Sequence, residues 1–351
     1  MHDIFYLYPE FGVRPEAAAP QPPTRKLRRM EYLYLAAGLA LILAGANYLT
    51  DGSAALAARF RVPGFLIGLT VVAVGTSTPE LVVSFLSALD GQGDMAVGNV
   101  AGSNLFNTFV ILGVCALIRP LPLTARNVRR DLPVGAAASL ALCLVLADGA
   151  LHTGRPAHIG RTEGICMLAL YILSIRAAVR AARREHPAAE ASAAETPPAK
   201  PISGCLTALM IAGGLAALVA GGEIFLRNAE TIARRWGVSE SVIAITLVAG
   251  GTSLPELASS IVSVVKGRAD IALGNVVGSN IANIFLVLGL SAAVSPLTPN
   301  GIGAATLGAV LLGSALLIAS AFTFRRCAID RWEGALFLAI YGGYLWLLLT
   351  K

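Results

Sequence analysis

Long apolar runs, separated by short polar or charged segments, dominate this chain of 351 residues. Each run is close to the roughly 20 residues that an α-helix needs to cross the hydrocarbon core of a bilayer. The pattern therefore predicts an all-α polytopic membrane protein with ten transmembrane helices. The predicted spans lie near residues 31–57, 62–89, 94–118, 132–149, 162–181, 202–226, 238–265, 270–295, 301–323 and 332–350.

Two segments stand outside this apolar pattern. Residues 1–30 are rich in Pro and Ala and contain no apolar core of signal-peptide length, so a disordered N-terminal tail is predicted. Residues 183–201 are charged and also rich in Pro and Ala, which predicts a solvated linker. The linker divides the chain into two five-helix units, residues 31–182 and 202–351.

A polar motif occurs twice inside the apolar runs. GTSTPE begins at Gly75 and GTSLPE at Gly251, and each is followed 23 residues later by GNxxGSNxxN. A shift of 176 positions superimposes 75–114 on 251–290 without a gap, and 21 of the 40 pairs are identical. With five spans in each unit, the second copy must enter the membrane in the opposite orientation. Such inverted repeats are typical of transporters, whose substrate site lies near the midplane where the repeats meet.

Composition and charge fit a membrane protein and argue against a nucleic-acid partner. Hydrophobic residues make up 56% of the chain and charged residues 14%, so the net charge of +6 is interpreted through the positive-inside rule. With the N-terminus outside, 16 of the 27 Lys and Arg residues lie on the cytoplasmic side. This predicts an external N-terminus, a cytoplasmic linker and, because the loops are short, the plasma (inner) membrane of a bacterium. The lipid bilayer is an expected partner, and no obligatory protein partner is expected.

The repeated motif places a carboxylate directly after a helix break. Pro79 and Pro255 cannot donate a backbone hydrogen bond, so a carbonyl four residues earlier loses its partner in mid-membrane. Exposed backbone at that depth is tolerated only where it lines a cavity or is buried in protein. Glu80 and Glu256 follow, and a charge at the bilayer centre costs at least ~2.5 kcal/mol. The pair therefore predicts a functional site.

Around each glutamate, other polar residues fall on the same helical faces. These faces supply hydroxyl, amide and carboxylate oxygens but no imidazole or thiolate, a set that suits hard cations such as Ca²⁺ or Na⁺. Asn99, Asn104, Asn275 and Asn280 are expected to form interhelical hydrogen bonds rather than to bind ions. The other members are Ser77, Ser84, Ser87, Ser103 and Asn107 in the first copy and Ser253, Ser260, Ser263, Ser279 and Asn283 in the second.

The paired motifs resemble the α-repeats of the calcium/cation antiporter superfamily, specifically its bacterial sodium/calcium exchanger type. The resemblance is close over about 80 residues, and the ten-span layout extends it from residue 31 to the end. It implies a transporter that has no cofactor, is not an enzyme and carries Ca²⁺ and Na⁺. It further implies Ca²⁺ ligands at Glu80, Glu256 and the carbonyls of Thr76 and Thr252. It implies sodium ligands at Ser77, Ser103, Ser253, Ser279 and the carbonyls of Ala73 and Ala249, with Asn107 and Asn283 completing the ring.

One position departs from the family pattern. Some sodium/calcium exchangers carry aspartate at the position of Asn283, whereas both copies have asparagine here. Two carboxylates balance one Ca²⁺ or two Na⁺, and a third Na⁺ would have no compensating charge. Proton coupling through the glutamates gains weight, because a carboxylate deprived of water binds a proton more readily.

The sequence thus predicts a secondary antiporter that exchanges Ca²⁺ for Na⁺ by alternating access. The alternative is an antiporter of the same fold that exchanges Ca²⁺, or another divalent cation, for protons. A channel is less consistent with inverted repeats around a carboxylate pair. An intramembrane enzyme with Ser77 or Ser253 as nucleophile would need a base, and no His or Lys lies near these serines within a span.

Overall fold

The computed structural model describes residues 25–151, 157–184, 202–239, 243, 249–299, 302–323 and 327–350. Most of these residues are helical, and a small strand pair joins two loops. The helices are α1 (Arg25–Phe60), α2 (Gly64–Thr76), α3 (Thr78–Leu89), α4 (Gly93–Ile118), α5 (Leu132–Leu151), α6 (Arg161–Arg184), α7 (Gly204–Arg235), α8 (Ala249–Gly251), α9 (Leu254–Val265), α10 (Ala269–Val294), α11 (Ala304–Ala319) and α12 (Arg331–Leu349). The strands are β1 (Leu121–Pro122) and β2 (Ala328–Ile329).

The prediction of a mostly helical polytopic membrane fold is confirmed. Within the described ranges, six helices are long and apolar enough to cross a membrane, or seven if α2 and α3 form one bent span. The two strands are a local departure from the all-α prediction, and they pair with each other in antiparallel fashion.

Two predicted boundaries need correction or fall outside the described residues. The tail was predicted to reach residue 30, but α1 begins at Arg25, because residues 25–30 (RKLRRM) are all good helix formers. At the linker, α6 continues to Arg184, and the remaining linker, 185–201, lies outside the described residues. The same holds for residues 1–24, so their predicted disorder stays a prediction.

The two halves of the chain are joined by equivalent cross-connections. Leu121 pairs with Ile329, and Leu297, which is Leu121 shifted by 176 positions, forms an antiparallel bridge with Ile159. In both cases a residue that follows the third predicted span of one half pairs with a residue that precedes the fifth span of the other. The helices repeat this relation, since α12 packs on α4 and α6 packs on α10. Each half therefore completes the core of the other.

Helices α1 and α7 form a closely packed antiparallel pair beside this core. A Cβ atom added to Gly45 would lie 2.7 Å from the carbonyl oxygen of Gly214, so the two backbones are in direct contact. Small residues permit this approach, which is a common means of helix association in membranes. At one end of the pair, Arg235 donates to Glu31 at 2.5 Å. The two helices are therefore held together by close backbone packing and by an ion pair.

We expect Gly45→Val to destabilise the protein, because the clash with Gly214 can be relieved only by displacing one helix away from the other. Overpacking of this kind costs about 1–3 kcal/mol, and the variant should melt at a lower temperature than the parent in detergent solution. Gly213→Val is the matched control, since a Cβ at Gly213 meets nothing within 4 Å among the described residues. Equal melting temperatures for the two variants would contradict the close contact.

Candidate functional site

Both copies of the motif interrupt their helix at the same place. Helices α2 and α3 meet at an angle of 48°, and the residue at the break, Ser77, has φ −80° and ψ 10°. Its counterpart Ser253 lies between α8 and α9 with φ −88° and ψ 9°. The break places Glu80 and Glu256 in the first turn of α3 and α9, where the helix dipole favours a negative charge.

The two glutamates are fully buried, and each accepts a hydrogen bond from the opposite half. Ser253 donates from Oγ to Oε1 of Glu80 at 2.9 Å, and Ser77 donates from Oγ to Oε1 of Glu256 at 2.9 Å. All four side chains have at most 3% of their surface exposed. The site is therefore one composite centre at the interface of the two repeats, and neither repeat supplies it alone.

A second pair of serines approaches the same carboxylate oxygens from within each half. Ser103 donates to Oε1 of Glu80 at 3.3 Å, and Ser279 donates to Oε1 of Glu256 at 3.5 Å. The hydroxyls of Ser103 and Thr252 are 3.5 Å apart, which again joins the two halves. The structure thus brings together all the serines that were predicted as sodium ligands.

Four oxygen atoms of the predicted ligand set have no hydrogen-bond partner among the described residues. They are Oε2 of Glu80, Oε2 of Glu256, Oδ1 of Asn107 and Oδ1 of Asn283, and all four are buried. Buried polar atoms without a partner are rare in native proteins, because each one forfeits its hydration. Hard cations take oxygen ligands of these types, so the unpartnered atoms fit a cation substrate.

The predicted asparagines lie on irregular turns that the sequence did not reveal. Asn107 lies in the π-helical turn Phe106–Ile111, and Asn283 begins the π-helical turn Asn283–Leu288. Such turns are rare in proteins overall, and those that occur are often found at functional sites. Their amides differ in environment, since Nδ2 of Asn283 donates to Oδ1 of Asn104 at 3.1 Å, whereas Nδ2 of Asn107 has no described partner.

The two carboxylates have no positive side chain paired with them within the described ranges. In the described part of the chain, neither Glu80 nor Glu256 forms an ion pair with Lys, Arg or His. Removing a carboxylate from water without a partner carries a penalty of several kcal/mol. No group of three or more His, Cys, Asp or Glu side chains occurs in the described ranges, so a thiolate or imidazole metal centre is not indicated there. The site is therefore a buried pair of carboxyl groups surrounded by hydroxyl and amide oxygens, a donor set of the kind that hard cations prefer.

The expected interhelical hydrogen bonds of the supporting asparagines are present. Asn99 donates to Oγ of Ser84 at 2.9 Å, and Asn275 donates to Oγ of Ser260 at 3.0 Å. Sequence reasoning missed Ser259, which accepts a second bond from Asn275 at 3.1 Å. The signal for it was its position three residues after Glu256, on the buried face of α9.

The remaining predicted ligands are backbone carbonyls. The carbonyl of Ala73 accepts the backbone N–H of Ser77 at 2.9 Å and the hydroxyl of Thr76 at 3.4 Å. Thr76 lies at the end of α2 and its hydroxyl donates to the carbonyl of Val72 at 3.0 Å. Ala249 is the first residue of α8, at the edge of the described region. Their role as ligands stays a prediction.

Comparison with known proteins identifies relatives over most of the chain. A family model described as sodium/calcium exchanger protein matches residues 30–179 and 206–350. A protein of Alkalimonas amylolytica named as an antiporter, CaxA, is 34% identical and covers 91% of this chain and 98% of its own. Inner membrane protein YrbG of Escherichia coli is 37% identical, over 75% of this chain and 79% of its own. A solved structure of the sodium-calcium exchanger NCX_Mj is 28% identical with a TM-score of 0.75, and covers 92% of this chain and 99% of that chain.

We expect Ca²⁺ to stabilise the purified protein through this centre. A ligand at about 100 times its Kd adds about 2.7 kcal/mol to the free energy of unfolding, so the melting temperature should rise with Ca²⁺. Glu80→Gln and Glu256→Gln should each remove most of that rise, because one of two compensating charges is lost. Glu223→Gln is the control, since Glu223 is exposed and pairs with Arg227 away from the pocket. An unchanged Ca²⁺ response in Glu80→Gln would contradict the assignment.

Proposed function

The chain belongs to the sodium/calcium exchanger protein family, and on that premise we propose that this cation antiporter exchanges Ca²⁺ for Na⁺ across the membrane. The resemblance stated from the paired motifs is thereby confirmed. One observation carries the proposal: Glu80 and Glu256 are buried together, each held by a serine of the opposite repeat, and each with one oxygen left without a described partner.

In this proposal Ca²⁺ and Na⁺ compete for one pocket. Glu80 and Glu256 supply the two negative charges, and the carbonyls of Thr76 and Thr252 with the side chains of the ring supply neutral oxygens. One Ca²⁺ or two Na⁺ neutralise the site, whereas an empty pocket keeps two uncompensated buried charges. Moving that empty pocket across the membrane would be costly, so only the loaded protein reorients. This restriction makes transport an exchange.

The ring residues divide between the two ions by their chemistry. A divalent cation draws the free Oε2 atoms of both glutamates toward one point, because each carries a formal charge. Na⁺ needs less charge and is served by hydroxyls, so Ser77, Ser103 and their counterparts Ser253 and Ser279 are proposed to hold it. The Oε1 atoms that accept hydrogen bonds from these hydroxyls belong to the same glutamates that would bind Ca²⁺. Occupancy of the site by one ion therefore affects occupancy by the other.

We also propose the arrangement in the membrane. Ten spans form two inverted five-helix units, residues 31–182 and 202–351, with the N-terminus outside and the linker in the cytoplasm. The two segments matched by the family model, one on each side of the linker, support the division. The inner-membrane name of the Escherichia coli relative supports a bacterial inner membrane. No resident cofactor is needed, since the transported ions are the substrates.

A second function, exchange of Ca²⁺ or another divalent cation for protons, is favoured by one observation. The pocket has asparagine at both Asn107 and Asn283, so its only acidic groups are the two glutamates, buried beside each other. A buried carboxylate without a cation is neutralised most simply by a proton. The coupling ion must therefore be tested directly.

Uptake of radiolabelled Ca²⁺ into proteoliposomes tests the function. We expect an outward sodium gradient to drive uptake and a matched proton gradient to drive little. Uptake driven by the proton gradient alone would identify H⁺ as the coupling ion and would leave the site assignment unchanged. No uptake with either gradient would contradict Ca²⁺ as the substrate.

Glu80→Gln should reduce Ca²⁺ uptake to the level of empty liposomes, because the remaining carboxylate balances only half the charge of the ion. The variant should still insert and migrate as the parent does in size-exclusion chromatography, since glutamine keeps the shape and the hydrogen-bonding groups. Glu163→Gln, an exposed position in the first turn of α6, should transport at the parental rate. Parental transport by Glu80→Gln would remove Glu80 from the site.

The charge balance of the pocket also predicts that exchange is electrically silent. With two carboxylates, one Ca²⁺ exchanges for two Na⁺, so a membrane potential set with potassium and valinomycin should leave the rate unchanged. Asn283→Asp adds a third negative charge and should make uptake respond to the potential. A response in the parent protein would show that more than two Na⁺ move per cycle, in conflict with the two-charge pocket.

A further inference from the structure

A cluster of charges fastens α1 to the loop between α9 and α10. Asp51 accepts from Nζ of Lys266 at 2.9 Å and from the guanidinium of Arg268 at 2.7 Å. Arg268 also donates to the carbonyl of Thr50 at 3.0 Å, and the hydroxyls of Thr50 and Ser263 are 3.1 Å apart. These bonds hold one end of the α1–α7 pair against the helices that carry the second glutamate.

The repeat contains the same pair with its charges exchanged. Position 51 shifted by 176 is Arg227 on α7, and Lys266 shifted back by 176 is Asp90 in the loop between α3 and α4. In the first case the acid is on the helix of the α1–α7 pair and the base is on the loop. In the second case the base is on the helix and the acid on the loop. Opposite charges are thus present at both equivalent sites.

Only one of the two equivalent sites is formed in this structure. Arg227 pairs instead with Glu223, one turn earlier on α7, at 2.5 Å. Within the described ranges the carboxylate of Asp90 has neither a hydrogen bond nor an ion pair. The helix contacts follow the same division, since α1 packs along α9, whereas its counterpart α7 makes few contacts with α3.

We propose that these two sites are alternating latches, one for each face of the membrane. The inference rests on the proposed antiport cycle and names the groups that hold its two end states. When the repeats exchange conformations, α7 packs on α3 as α1 now packs on α9. Arg227 then leaves Glu223 for Asp90, and Asp51 releases Lys266 and Arg268.

The exposure of these groups suits a latch that opens in every cycle. Asp51 has 39% of its side chain exposed, Lys266 27%, and Arg227 62%, so water replaces the lost partner when a pair separates. An exposed ion pair of this kind shifts an equilibrium by about two- to five-fold. Such a pair biases the state ratio without preventing turnover. The buried carboxylates of the ion pocket could not exchange partners in this way.

Paired cysteines provide a test that does not depend on the transported ion. The exposed Cys166, Cys205 and Cys327 are first replaced by serine, while Cys115 and Cys143 are buried and remain. The two remaining cysteines are covered by protein, and the same background without introduced cysteines serves as the control for any cross-link that they form.

In that background, the pair Asp51→Cys and Lys266→Cys reports on one latch, and the pair Arg227→Cys and Asp90→Cys on the other. In proteoliposomes treated with a short, membrane-permeant bifunctional thiol reagent, we expect each pair alone to cross-link. When all four cysteines are present, a single molecule should carry one cross-link or the other, never both, as measured by mass spectrometry. The latch model is overturned if the Arg227–Asp90 pair never cross-links, or if doubly cross-linked molecules accumulate.

Charge exchange tests whether the ion pair itself matters. With the Asp51–Lys266 cysteine pair as reporter, Asp90→Arg should raise its cross-linking rate about two- to five-fold, because repulsion from Arg227 disfavours the opposite state. The double variant with Asp90→Arg and Arg227→Asp should restore the parental rate. If the single and double variants behave alike, the charges do not form a latch. Cross-linking reads no ion flux, so alternating cross-links in a protein that does not take up Ca²⁺ would refute the exchange function and leave the latches standing.

Discussion

Two carboxylates buried side by side, without a positive side chain from the described protein to balance them, are the constraint on which the rest of this structure depends. Like charges in a poorly hydrated interior repel strongly, and each also loses its water. Serine hydroxyls from the opposite half offset part of this cost at Oε1 of Glu80 and Glu256, but the Oε2 atoms are left over. Under the proposed function a bound cation would compensate these carboxylates, and that role would explain why a polar motif occurs within such apolar helices.

The architecture follows from sharing that site between two halves. A centre built from one repeat could tolerate loose packing of the other, whereas Ser253 must hold Glu80 and Ser77 must hold Glu256 at hydrogen-bond distance. The cross-connections hold the two halves in this relative position, because β1 pairs with β2 and Ile159 forms a bridge with Leu297. Each half is therefore positioned by the other at the loops as well as at the midplane. The α1–α7 pair is not part of these cross-connections: its two backbones contact each other at Gly45 and Gly214, and α1 also packs along α9.

Much of the fold and of the candidate site could be predicted because the motif occurs twice in the chain. Local rules were enough for the helix breaks, the buried glutamates and the polar faces, since Pro79, Pro255 and the serine spacing act within one helix. Three features depend on tertiary structure and could not be predicted. Local sequence does not say that the serine bound to each glutamate comes from the other repeat. Nor does it say where a helix adopts a π-turn, or which of two equivalent helix pairs, α1–α9 or α7–α3, is in contact.

Under the proposed alternating-access mechanism, that last asymmetry is what distinguishes one conformation of the cycle from the other. A ligand moves a two-state equilibrium only by its differential affinity, so the two states must lie within a few kcal/mol of each other for bound ions to select between them. The repeated motifs suit this requirement, because an exchange of conformations between the halves would replace many contacts with equivalent ones. The exchange is not perfect where the repeats differ. Asp51 and Arg227 occupy equivalent positions with opposite charge, as do Lys266 and Asp90. At these positions the two repeats differ in residue type, yet each of the two equivalent pairs still combines an acid with a base. Substitutions there can change the balance between the two states without altering the ion pocket.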